Sequence, residues 1–139
     1  MDIQYTVGVA GGVPVTFISV GPNNNDGIDG FLDIINFLIG ETTPPQVLST
    51  SYGFNEPDIP PTIAKYDLRF VPMTKDSCFQ TSQLCDAYMQ LGARGVSIFF
   101  SSGDGGVSGS QSQSCTTFIP TFPSGCPFLT SVSDQRIII

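Results

Sequence analysis

Residues 91–106, Leu-Gly-Ala-Arg-Gly-Val-Ser-Ile-Phe-Phe-Ser-Ser-Gly-Asp-Gly-Gly, constrain the fold more than any other stretch of the chain. Val96, Ile98, Phe99 and Phe100 are bulky or β-branched, with one small interruption at Ser97. That is the pattern of a parallel strand covered on both faces. The strand runs directly into glycines, and open α/β sheets form their sites outside the carboxyl ends of strands. Asp104 is delivered to such an end. Gly103, Gly105 and Gly106 remove the Cβ barrier to positive φ and permit a tight turn. Two readings follow: a plain Asp-Gly turn, or a carboxylate set in place for chemistry.

The rest of the chain supplies partners for this strand. Ile3, Val7 and Ala10 suit a short helix closed by Gly11-Gly12, with Asp2 at its start. Residues 13–20 read as a buried strand with its proline at the entry. Residues 23–30 form a polar loop that superficially resembles a calcium loop but lacks the alternating acidic ligands and closing Glu. Phe31, Ile34, Ile35 and Leu38 fall on one helical face within residues 30–39. Residues 47–52 form a strand ended by Gly53, and Leu84, Ala87, Tyr88 and Leu91 mark a helix over 84–93. A short strand over 128–132 closes the series. The order α-β-α-β-α-β-β predicts one α/β domain, a parallel sheet with crossover helices.

Composition narrows the chemistry. Twelve acidic and five basic residues give a net charge of −7 at pH 7. A nucleic acid or an anionic membrane is therefore excluded as the expected partner. No run approaches the roughly 20 apolar residues of a membrane span, and no export signal opens the chain. There is no histidine, so acid-base work falls to carboxylates, Tyr, Cys or Lys, which points to acid pH. Cys78, Cys85, Cys115 and Cys126 lack Cys-x-x-Cys spacing and have no histidine to complete a zinc site. No metal is expected in this chain. Cys115 and Cys126 flank a Pro-containing loop and are the favoured disulfide, with other pairings formally open.

Tested against the turn, a dinucleotide-binding Gly-x-Gly-x-x-Gly is not matched, and no Gly-x-Ser-x-Gly elbow occurs. What remains is a group that hydrogen-bonds the oxygen of a tetrahedral intermediate. A carboxyl donates such a bond only when protonated, which demands acid conditions or a raised pKa.

The block at 91–106, together with Val47-Leu-Ser-Thr-Ser-Tyr-Gly53 and Phe122-Pro-Ser-Gly-Cys-Pro-Phe-Leu-Thr-Ser-Val132, resembles the sedolisin family of serine-carboxyl peptidases, in particular its secreted fungal tripeptidyl-peptidase branch. The resemblance implies a subtilisin-like α/β fold in which glutamate replaces histidine and Glu, Asp and Ser form the catalytic centre. It assigns Asp104 to the oxyanion hole. Asp2 matches the Asp of the motif Glu-Ala-x-Leu-Asp, where it would support the Glu. Ser51, Tyr52 and Gly53, with Ser102 and Gly103, match the substrate-bordering segments. Implied too are a peptide or unfolded-protein substrate, a monomeric extracellular enzyme, and calcium in the intact domain, with its ligands beyond residue 139.

The chain also departs from that pattern. Neither the Glu motif nor the Gly-Thr-Ser nucleophile motif occurs within its 139 residues. The family would place the first before residue 1 and the second after the divergent tail at 133–139. An atypical insertion occupies about 66–82. The expectation is a partial peptidase domain over 1–139, inactive alone, with a catalytically dead peptide-binding or regulatory fragment as the alternative.

Overall fold

A computed structural model describes residues 2–19, 28–58, 77–109 and 116–133. In chain order its elements are α1 (Asp2–Val9), α2 (Ile28–Gly40), β1 (Val47–Thr50), β2 (Phe54–Asn55), α3 (Ser77–Ala93), β3 (Ser97–Ser101), β4 (Thr121–Phe122) and β5 (Thr130–Val132). Single 3₁₀ turns occupy Glu56–Asp58 and Gly106–Ser108.

β3 is the centre of a parallel sheet of order β1-β3-β5. Leu48 lies opposite Ile98 in the first pair, and Phe99 opposite Thr130 in the second. Alternation along β3 buries Ile98 and Phe100 while Ser97 stays exposed and Phe99 half-buried. So only one face of β3 is fully covered among the described residues, not both, because α2 and α3 pack together and α3 lies against the strand. This is the parallel α/β arrangement with crossover helices, subtilisin-like and short of a complete domain.

The two helices bury their faces at the expected spacing. Phe31, Ile35 and Leu38 come from α2, and Leu84, Ala87, Tyr88 and Leu91 from α3; all join Ile98 and Phe100 in one core. Each Phe, Ile or Leu among them taken fully out of water stabilises the fold by about 1.5–3 kcal/mol. Phe100 sits at the middle, its ring 5.8 Å from Phe31 and 5.4 Å from Tyr88 in edge-on geometry. α3 begins at Ser77, seven residues before the expected start and inside the 66–82 segment; the rest of that segment lies outside the described residues.

The α2 end is closed from a distance. α2 has no basic residue in its last turn. Arg94, in the α3–β3 connection, supplies the cation instead. Its guanidinium donates to the carbonyls of Leu38 at 3.4 Å, Ile39, Glu41 at 2.7 Å and Thr42 at 3.5 Å. These include carbonyl groups that the helix leaves without partners, at the negative end of its dipole.

The structure corrects two expectations. Residues 13–19 form no strand, and Val13, Val15 and Phe17 are exposed. A strand needs a neighbour for its N–H and C=O groups, and among the described residues the sheet runs only from β1 to β5. Only Ile18 packs against the core. Residue 20 lies outside the described residues.

The second correction concerns the cysteines. Cys126 bonds to Cys85, not Cys115, with Cα atoms 5.4 Å apart. Both halves are buried. The flanking loop suggested a partner near in sequence, whereas α3 turns Cys85 toward the 123–126 turn from 41 residues away. Cys115 and Cys78 offer nothing further: Cys115 and the Cys78 side chain lie outside the described residues.

Candidate functional site

The expected site residues other than Asp2 lie along one edge of the sheet. β1 and β3 run parallel with Thr50 opposite Phe100, so Ser51, Tyr52 and Gly53 leave the sheet beside Ser101, Ser102 and Gly103. The same edge receives the end of β5, where the Ser102 N–H donates to the Val132 carbonyl at 2.9 Å. This is the carboxyl edge at which parallel α/β sheets assemble sites.

The Asp104 turn is compact for stated reasons. Gly103 has φ of 93°, and a Cβ there would stand 2.8 Å from the Gly109 carbonyl oxygen. Only glycine fits, both by conformation and by space. The Gly105 N–H donates to Gly109 O at 2.8 Å, and Ser108 N–H to Gly105 O at 3.2 Å. Ile119 N–H then fastens the turn to its return segment by donating to Val107 O at 2.9 Å. Asp104 itself is exposed at the tip. Ser108 is the opposite case: it is fully buried, and its hydroxyl has no hydrogen-bond partner among the described residues.

On the neighbouring strand end, Tyr52 is exposed and stands on aromatic support. Its ring is 6.0 Å from Phe31 and 5.4 Å from Phe54, the latter perpendicular. Gly53 passes so close to Phe122 that a Cβ would lie 2.8 Å from its carbonyl oxygen. Phe122, joined to Pro123 by a cis bond, pairs with Phe54 across the β2–β4 ladder. That ladder holds the Tyr52 side of the edge to the Asp104 side.

Asp2 is placed differently. It opens α1, as its position predicts, and its carbonyl accepts the Thr6 hydroxyl at 2.8 Å. None of the α1 residues is buried. Asp2 therefore stands on an element that the core does not hold in place.

Sequence reasoning missed Thr121 of β4, whose hydroxyl reaches the Ser102 carbonyl, Ser124 in the turn after β4, which meets that hydroxyl, and Asn55 of β2, whose side chain lies beside Gly109. A shallow groove of about 300 Å³ also opens at the amino end of β3, lined by Val96, Phe99, Phe128 and Leu129 among others. It lies at the opposite edge from Asp104. No group of three or more His, Cys, Asp or Glu able to hold a metal ion occurs among the described residues. Nor is any helix among them long and apolar enough to cross a membrane.

The fold and its glycine-built carboxyl edge define the class: a subtilisin-like α/β unit. Comparison with known proteins makes it more particular. The chain is 37% identical to the tripeptidyl-peptidase SED4 of Arthroderma otae, over 99% of its own length and 23% of that protein. It is 35% identical to a probable tripeptidyl-peptidase SED4 of Arthroderma benhamiae, with the same coverage. A probable tripeptidyl-peptidase SED3 of the same fungus is 35% identical over 95% of this chain and 22% of the relative. No protein-family model matches. The chain is thus related in sequence to the sedolisin-type tripeptidyl-peptidases, and it spans less than a quarter of the length of these curated relatives.

Proposed function

We propose that residues 1–139 supply the oxyanion side of an acid-acting serine-carboxyl peptidase that is larger than this chain and extracellular. In this reading a serine elsewhere in the whole enzyme attacks a peptide carbonyl, and a glutamate takes and returns its proton. Protonated Asp104 donates a hydrogen bond to the oxygen on which negative charge develops. A preorganised donor of this kind contributes about 3–4 kcal/mol to the transition state. Ser51, Tyr52, Gly53, Ser102 and Gly103 border the extended peptide, whose backbone pairs with strand ends. Asp2 tunes the glutamate. Residues 66–82 are an insertion relative to the family pattern and 133–139 a divergent tail; the enzyme acts as a monomer.

One observation carries the reading: the Asp104 turn and the Tyr52 segment share the carboxyl edge of one parallel sheet, the former folded around glycines with Asp104 exposed. Sequence relatedness to tripeptidyl-peptidases supports the substrate class.

The test uses a longer polypeptide carrying this segment together with the Glu-Ala-x-Leu-Asp and Gly-Thr-Ser motifs. Asp104→Ala should lower kcat by about 10²–10³. Asp104→Asn should lose less and flatten the acid dependence, because an amide donates without being protonated. Wild-type kcat in Asp104→Ala would remove Asp104 from the mechanism. The 139-residue chain, which has neither motif, should not turn over a tripeptidyl reporter at acid pH.

A further inference from the structure

The direction in which the Asp104 turn leaves β3 is set at Ser102, one residue past the strand. Its N–H is engaged by Val132. Its carbonyl accepts the Thr121 hydroxyl at 3.0 Å, across 19 residues of sequence. The hydroxyl is itself held: Thr121 Oγ1 lies 2.6 Å from Ser124 Oγ, which also reaches the Thr121 carbonyl at 2.9 Å.

Each hydroxyl has a single proton to donate. If Thr121 gives its proton to Ser102, Ser124 must point its own at Thr121, shared between Oγ1 and the carbonyl. Both acceptors belong to Thr121, so the assignment satisfies every oxygen without conflict. The other branch of Thr121 is used as well. Its Cγ2 methyl lies 3.4 Å from where a Gly103 Cβ would stand, so it packs against the glycine that starts the turn.

Thr121 is fixed from behind. It pairs with Asn55 across the β2–β4 ladder. Its carbonyl accepts the Gly125 N–H at 3.2 Å, and the next residue is Cys126, bonded to α3 through Cys85. A hydroxyl mounted on a paired strand and a cross-linked turn reaches the loop's first free carbonyl.

We propose that Thr121 is the positioning residue of the Asp104 turn: its hydroxyl fixes the Ser102 carbonyl and thereby the path of Gly103 and Asp104, with Ser124 orienting that hydroxyl. Its catalytic meaning rests on the reading of Asp104 as the oxyanion acid, whereas its structural content does not. The test is hydrogen exchange by NMR on the full 139-residue chain, read at the bonded amides of Gly105, Ser108 and Gly109. Thr121→Val keeps the methyl and loses the hydroxyl. These amides should exchange at least about tenfold faster in it, the loss expected for one hydrogen bond, with α3 and β3 amides within about twofold. Thr121→Ser keeps the hydroxyl and should restore exchange to within about threefold. The Asp104 carboxyl ¹³C resonance should move in Thr121→Val and return in Thr121→Ser.

Unchanged exchange in Thr121→Val overturns the proposal. So does exchange in Thr121→Ser as fast as in Thr121→Val, since the hydroxyl alone would then not hold the turn. If Thr121→Val does not fold, Ser124→Ala decides: a rise of about three- to fivefold confined to the turn supports the proposal, and no rise, or a rise shared with α3 and β3, overturns it. Exchange is read without substrate. Failure of the peptidase reading leaves this result standing, and peptidase activity does not rescue a negative one.

Discussion

Two apolar stretches of nearly equal strand-forming character meet opposite fates. Residues 97–101 become β3, paired on both sides with one face buried against the helix layer; residues 13–19, with Val13, Val15, Phe17 and Ile18, form no strand and are largely exposed. Side-chain type does not separate them. What differs is the neighbour, since β3 has β1, β5 and the α2–α3 layer, while the 13–19 segment has no ladder among the described residues. β-propensity states that a side chain suits a half-buried pleated surface. It does not state that the surface exists.

The largest expected effect sharpens that contrast. Phe100→Ala removes a ring that is 1% exposed and meets Phe31 and Tyr88, and should cost about 3–5 kcal/mol in urea unfolding. Phe17→Ala removes one that is 71% exposed and should fall within about 0.5 kcal/mol of the parent. Comparable losses at the two sites would mean that residues 13–19 are packed in solution, and the contrast would collapse.

Next in size is the cross-link that belongs to the packed core around β3. Cys85–Cys126 ties α3 to the turn after β4 across 41 residues. Removing it as Cys85→Ala/Cys126→Ala should cost about 3 kcal/mol, mostly through the freedom it denies the unfolded chain. Peptide mapping without reductant should recover the Cys85 and Cys126 peptides joined. A Cys115–Cys126 peptide in their place would reverse the assignment made from the structure and restore the one made from sequence.

Legibility followed the same division. The α2 and α3 cores were readable because 3.6-residue periodicity is a local record of which face is buried, and Phe31, Ile35, Leu38, Leu84, Tyr88 and Leu91 keep it. The β3 turn was readable because Gly103 and Asp104 carry their signal within a few residues. Thr121 was not. A threonine between prolines has no local signature for holding a carbonyl 19 residues away, and a two-residue ladder such as β2–β4 is too short to show alternation. The Cys85 pairing failed for a related reason, since distance along the chain says little once a helix carries a residue across the fold. Asp2 was legible as a helix-start acid, while the catalytic role proposed for it comes from the family resemblance alone.

The smallest effect lies inside the core around β3 and probes whether burial there is always favourable. Tyr88 is 0% exposed, and its hydroxyl has no hydrogen-bond partner among the described residues. Burial pushes its pKa well above the ordinary value near 10, because the phenolate cannot be solvated there. The neutral form is the only one the core accepts. In the unfolded chain Tyr88 ionises freely above pH 10, so the stability held by the neutral form is complete below that pH and declines as the pH rises past it. Tyr88→Phe keeps the ring against Phe100 and deletes the stranded oxygen. It should gain about 1 kcal/mol at pH 7, and the gain should widen in urea unfolding at pH 10.5 and above. A loss at pH 7 would instead reveal that the hydroxyl is satisfied in solution. An unchanged gap between the two pH values would show that its ionisation is not coupled to unfolding, and the core around β3 would be wetter than its packing indicates.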